Sequence, residues 1–185
     1  MAMSQNENVQ IITVSGLQTR DLLTWLQSQS VCSQVRLVTI HIGVNDCKSG
    51  EVTSRIWDQI LDCCGRVFPL AGMQISPIIP ARGRLPINRS ISFSNANLLD
   101  VCRCRAVTFI DNDSLFRTRR GAPRKALYSL RPKDFIHPSL QGVKALAMNI
   151  KRAHQPNSCT LAQSGHTNTS TSSRHPHAVA RQQQT

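Results

Sequence analysis

Four short runs rich in β-branched residues, 9–14 (VQIITV), 35–42 (VRLVTIHI), 73–79 (MQISPII) and 106–110 (AVTFI), alternate with stretches of helical patterning. Strands separated by helices pair through crossover connections, which makes the sheet parallel and lays helices on its faces. The expected class is therefore α/β: a three-layer open parallel sheet with flanking helices. A helix is predicted to begin near Thr19, burying Leu22, Leu23, Trp25 and Leu26. Over 51–68 the positions Val52, Ile56, Ile60, Leu61, Cys64 and Val67 recur three or four apart, and Pro69 ends the pattern. A more polar helix is predicted over 88–103 with Leu98, Leu99 and Val101 inward. The mostly apolar 35–42 run predicts burial on both faces, whereas Pro77 places the end of the third strand at an edge or loop.

The chain of 185 residues allows one ordinary domain with a sizeable core. Its organisation reads as a polar start (1–8), an α/β domain (9–152) and a tail (153–185). The tail is Ser, Thr, Gln, Asn and His with hardly any large apolar residue, so it is expected to stay disordered. Lys and Arg outnumber Asp and Glu by 22 to 10, a formal net charge of +12. That balance favours nucleic acid or anionic surfaces as partners and is silent about fold. Seven of the cations lie between Arg117 and Lys133, a segment predicted to be a long loop, with Phe116 and Tyr128 as possible stacking partners. A weak nucleic-acid contact through this loop is one expectation; a merely solvated loop is the other.

Seven cysteines at irregular spacing argue against a disulfide framework and suit a reducing compartment. Cys63-Cys64 and Cys102-x-Cys104 lack a second ligand pair at zinc-like spacing, so no metal or cofactor is expected. The first residues have no basic-then-apolar build and no run is long enough to cross a bilayer. The expectation is an intracellular, cytoplasmic protein without a membrane partner.

One histidine is placed like a catalyst. Four of the six lie in the tail and His41 ends an apolar run, which leaves His137. Asp134, three residues earlier, can reach back to one ring nitrogen and leave the other as a general base. Pro138 and Ser139 read as a helix start, followed by Leu140, Val143, Leu146, Ala147 and Ile150 at helical spacing. His137 would sit at the lip of that helix; the plainer alternative is a solvent-facing loop residue.

Read together, Ser15-Gly16, Gly43-Val44-Asn45-Asp46 and Asp134-Phe135-Ile136-His137 resemble the later sequence blocks of the SGNH hydrolases, the GDSL esterases and lipases. Gly16 resembles the second-block glycine, Gly43-x-Asn45-Asp46 the third block, and Asp134-x-x-His137 the fifth, over about Val9 to Arg152. The resemblance implies a flavodoxin-like fold and hydrolysis of a small ester through a serine. It implies His137 as base, Asp134 as its orienting partner, and Gly16 and Asn45 as oxyanion donors. A neutral amide aimed at developing charge suits that chemistry.

The first block, an apolar strand ending in Gly-Asp-Ser, does not occur in the chain. Ser15 falls where the family's second strand ends, and Ser139 follows His137 too closely to be its partner and reads as a helix cap. In the family's sheet order 2-1-3-4-5 the first strand is central. Its lack implies that the strands at 9–14 and 35–42 pair directly, that two inner edges stay open, or that the sequence is an incomplete version of a longer protein, the reading preferred here. The expectation is an esterase domain inactive as given; the alternative is a basic scaffold or nucleic-acid-binding protein on a degenerate hydrolase fold.

Overall fold

A computed structural model describes residues 12, 14, 16–50, 54–83 and 86–154. Strands β1 (Leu37–His41), β2 (Gly72–Ser76) and β3 (Thr108–Phe109) form one parallel sheet in that order. The helices are α1 (Thr19–Ser28), α2 (Val44–Ser49), α3 (Ser54–Val67), α4 (Ile87–Cys104), α5 (Asp113–Phe116) and α6 (Leu140–Ala153), with a 3-10 turn at Lys125–Leu127. The chain is thus an α/β fold with a small parallel sheet and flanking helices. Among the described residues no helix is long and apolar enough to cross a membrane.

Strand alternation sorts the sheet into two unlike faces. In register, Val38 meets Met73, Ile40 meets Ile75 and Ile75 meets Phe109. These side chains join Leu26 of α1, Trp57, Ile60, Leu61 and Cys64 of α3, and Leu98, Val101 and Cys102 of α4 in the main core. Each fully buried Leu or Ile there stabilises the fold by roughly 1.5–3 kcal/mol. The other face is polar. At its carboxyl end Ser76 Oγ lies 2.7 Å from His41 Nδ1 and accepts from Asn112 Nδ2 at 2.6 Å; Asn149 Nδ2 of α6 donates to Asn112 Oδ1 at 2.7 Å. Gln74, on the same face, is buried with neither amide atom hydrogen-bonded, a cost of about 1–3 kcal/mol.

Several expectations need correcting. The strand expected at 9–14 lies almost wholly outside the described residues; Ile12 and Val14, which are described, are not in a strand and are more than half exposed. Trp25 sits on the rim of α1 rather than in its buried face. In β1 only Ile40 is fully buried, because β1 is an edge of the sheet among the described residues. The 117–133 segment is not a plain loop: it carries the 3-10 turn and bridges pairing Arg117 with Pro123 and Tyr128 with Pro138. Phe116 and Tyr128 offer no stacking surface, since both are fully buried and pack edge to face at 5.6 Å. On α6, Leu140 and Val143 point outward while Leu146 packs inward on Leu127 and Tyr128.

Candidate functional site

The two turns that follow Gly16 and β1 are laced together by side chains of the second. Gly16 adopts φ +79°, a left-handed conformation open to glycine, and α1 begins three residues later. Asp46, buried in the first turn of α2, accepts the Thr19 N–H with both carboxylate oxygens (3.1 and 3.2 Å) and the Thr19 hydroxyl at 2.5 Å. It thereby satisfies a donor at the start of α1 that has no intrahelical acceptor. Beside it, Asn45 Nδ2 donates to the Leu17 carbonyl at 3.2 Å, and Lys48 Nζ donates to Asn45 Oδ1 at 3.1 Å. One N–H of the Asn45 amide therefore steadies the Gly16–Leu17 turn, which leaves its second N–H for another acceptor. Gly43 is favoured by its backbone, since its φ is +120°, and a Cβ there would also press on the end of the Ile78 side chain, 2.8 Å away at Cδ1.

The second pair is local. His137 Nδ1 lies 2.9 Å from Asp134 Oδ1, the same oxygen that accepts the His137 backbone N–H at 3.1 Å and that of Ile136 at 3.4 Å. The His137 backbone N–H is the largest cause holding the Asp134 carboxyl well below the usual carboxylate range, and the His137 ring and Ser129 hydroxyl act the same way. An ionised Asp134 accepts an Nδ1–H, which leaves Nε2 of a 77% exposed ring as the free base. The turn is held from both sides. Arg82 N donates to Phe135 O at 2.6 Å and its Nη2 to Asp134 O at 3.3 Å, with the guanidinium 5.4 Å above the Phe135 ring. Ser129 N donates to His137 O at 2.9 Å. Ser139 caps α6, its Oγ accepting from Gly142 N at 3.2 Å.

The pairs are linked through the core. Val44 and Ile136, each adjacent to a candidate residue, pack on the same buried cluster of Cys47, Ile78, Ala81 and Ile91. The turns that carry Asn45 and His137 thus border one buried cluster beyond the carboxyl end of β2, the end of open parallel sheets at which ligands bind. Ser15 lies outside the described residues. Among the described residues, no group of three or more His, Cys, Asp or Glu side chains could hold a metal ion. Sequence reasoning missed the roles of Asp46 and Arg82. The only available signal for Asp46 was its place directly after Asn45, and Arg82 had none.

The fold is similar to that of solved SGNH-type lipases and esterases. No family model and no curated protein sequence matches the chain. Solved structures do match. An acetylxylan esterase from Geobacillus stearothermophilus is similar with a TM-score of 0.59 and 21% identity, over 75% of this chain and 68% of that one. An extracellular lipase from Streptomyces rimosus gives 0.57 and 20%, over 75% and 77%. A GDSL-like lipase from Bacteroides thetaiotaomicron gives 0.58 and 17%, over 75% and 71%.

Proposed function

We propose that the domain is an acyl-ester hydrolase site of SGNH type, in which Asp134 orients His137 as general base and Gly16 and Asn45 supply oxyanion donors. The observation that carries this reading is the direct 2.9 Å bond between Asp134 and His137 on the strand-end side of an SGNH-like fold. In such a site a serine hydroxyl gives its proton to His137 Nε2 as its oxygen bonds to the ester carbonyl carbon. The oxyanion that forms takes hydrogen bonds from the Gly16 N–H and the free Asn45 N–H. The alcohol leaves with the proton from His137, and water then repeats the sequence on the acyl-serine. With no Gly-Asp-Ser in the sequence, the chain as given is inactive in this reading.

The test assays a short-chain p-nitrophenyl ester with the chain as given and with an apolar strand ending in Gly-Asp-Ser fused upstream. Hydrolysis is expected only in the fused protein, falling about 10²–10⁴-fold in His137→Ala and about 10²–10³-fold in Asn45→Ala. A folded, inert fusion, or activity indifferent to His137→Ala, would count against the reading; hydrolysis by the chain as given would end the claim of inactivity.

A further inference from the structure

Beside the candidate site lies a surface that is both cationic and greasy. Between Arg117 and Arg152 stand ten Lys and Arg and a single carboxylate, Asp134, which is engaged by His137; Arg117 is itself paired with Asp113 at 2.6 Å, which leaves nine cations for the surface. The same stretch exposes Leu130 (84%), Leu140 (73%), Met148 (55%), Val143 (49%) and Phe135 (39%). On α6 the residues Leu140, Val143, Lys144, Ala147, Met148 and Lys151 recur three and four apart, so they share one helix face. That face looks away from the domain, because Gly142, Ala145 and Leu146 take the opposite side. The helix is anchored to the basic segment: Ser139 N donates to Leu127 O and Ser139 Oγ to Ala126 O, both at 2.9 Å.

We propose that this surface docks the domain on an anionic lipid–water interface. Charge complementarity selects an anionic partner, and the kind of apolar residue selects lipid. Single-stranded nucleic acid is gripped by cations together with free aromatic faces. Here Phe116 and Tyr128 are buried against each other, and the one partly exposed aromatic of the stretch, Phe135, has a ring face taken by Arg82. What remains exposed is mainly aliphatic, which gains from entering an acyl layer while flanking Lys and Arg reach the headgroups. Leu140 follows His137 by three residues, and Ser129, beside Leu130, bonds the His137 carbonyl, so docking would bring the Asp134–His137 pair to the interface. The expectation of no membrane partner rests on the lack of a spanning run and does not bear on a surface contact.

The experiment is co-sedimentation of the full chain with vesicles of phosphatidylcholine alone and of phosphatidylcholine mixed with phosphatidylserine, at low and high salt. Binding is expected only to the mixed vesicles, weakening as salt rises. Leu130→Ser combined with Leu140→Ser should weaken it about ten-fold or more. Arg131→Gln and Lys144→Gln should each cost roughly five-fold. All four positions are exposed, and circular dichroism is the check that the variants stay folded. Equal binding to uncharged vesicles, no binding, or binding unmoved by the leucine pair would overturn the proposal. In the last case, loss of single-stranded RNA binding in the charge variants would make the face a nucleic-acid surface. A leucine pair that alters only the sedimentation of the free protein would make it a self-association face.

Discussion

Replacing Gly142 with alanine tests whether the contact that seats α6 is as tight as the structure places it. A Cβ at Gly142 would stand 2.0 Å from Leu127 O and 2.9 Å from Pro138 Cβ. A close carbon–oxygen contact is about 3.3 Å, so the Leu127 carbonyl and α6 must separate by about 1.3 Å. Both sides are backbone, and rotamer changes cannot relieve the overlap. Overpacking of this kind costs about 1–3 kcal/mol. The separation also strains the 2.9 Å bond from Ser139 N to Leu127 O, worth about 1 kcal/mol. Against these stands a gain of about 1 kcal/mol, because alanine is the better helix former. The net expectation is a loss of about 1–3 kcal/mol, a fall in Tm of roughly 3–10 °C. Gly65 is the internal control: it is also within a helix, and a Cβ there meets nothing within 4 Å. Gly65→Ala should raise stability by about 0.5–1 kcal/mol. Thermal unfolding of both variants gives the comparison. Equal or higher Tm in Gly142→Ala would refute the packing of α6 on the Lys125–Leu127 turn.

Two further outcomes follow from the charged and thiol groups. Asp134 has its pKa depressed in the fold, so the stability it confers is complete above about pH 4 and is lost as pH falls toward its folded value. Urea midpoints should therefore drop more between about pH 5 and pH 3 in the native chain than in Asp134→Asn; identical acid slopes would remove Asp134 from the account. Burial pushes the Cys64 thiol up to about 12 and that of Cys102 to about 11, and it raises Cys47 as well, whereas Cys104 is exposed. Iodoacetamide labelling read by mass spectrometry should mark Cys104 in the native protein and the three buried thiols only on unfolding. Early labelling of Cys64 would contradict the core described for α3.

The elements that announced themselves were those whose pattern is local. In α3 the positions Ile60, Leu61, Cys64 and Val67 recur with the helical period and all are buried. The Asp134–His137 pair was equally legible, because a carboxylate three residues ahead of a ring needs one turn of chain to meet it. α2 was not foreseen: Val44–Ser49 shows no apolar period, and its N-cap, Gly43, adopts a positive φ. Outer and inner faces of α6 were confused because both carry apolar side chains, so periodicity alone could not choose between them. Asp46 with Thr19 and Asn45 with Leu17 join residues 27 and 28 positions apart, and no local pattern reports such contacts. Phe116 and Tyr128 looked like free faces because burial depends on what the rest of the chain lays over them.

The polar chain across the sheet also sets the orientation of two amides and the partner of one imidazole. Asn149 Nδ2 faces two acceptors, Asp111 O and Asn112 Oδ1, which fixes that amide's orientation. Asn112 must then turn its NH₂ to Ser76 Oγ, and Ser76 presents two oxygens to His41 Nδ1, its hydroxyl at 2.7 Å and its carbonyl at 3.3 Å. Desolvation lowers the pKa of the ring and favours the neutral form, partly offset by its hydrogen bond to the Ser76 backbone. Neutral His41 meets Ser76 in one of two ways, as an Nδ1–H donor to its oxygens or as an Nδ1 acceptor of its hydroxyl, and the imidazole ¹⁵N resonances distinguish the two directly.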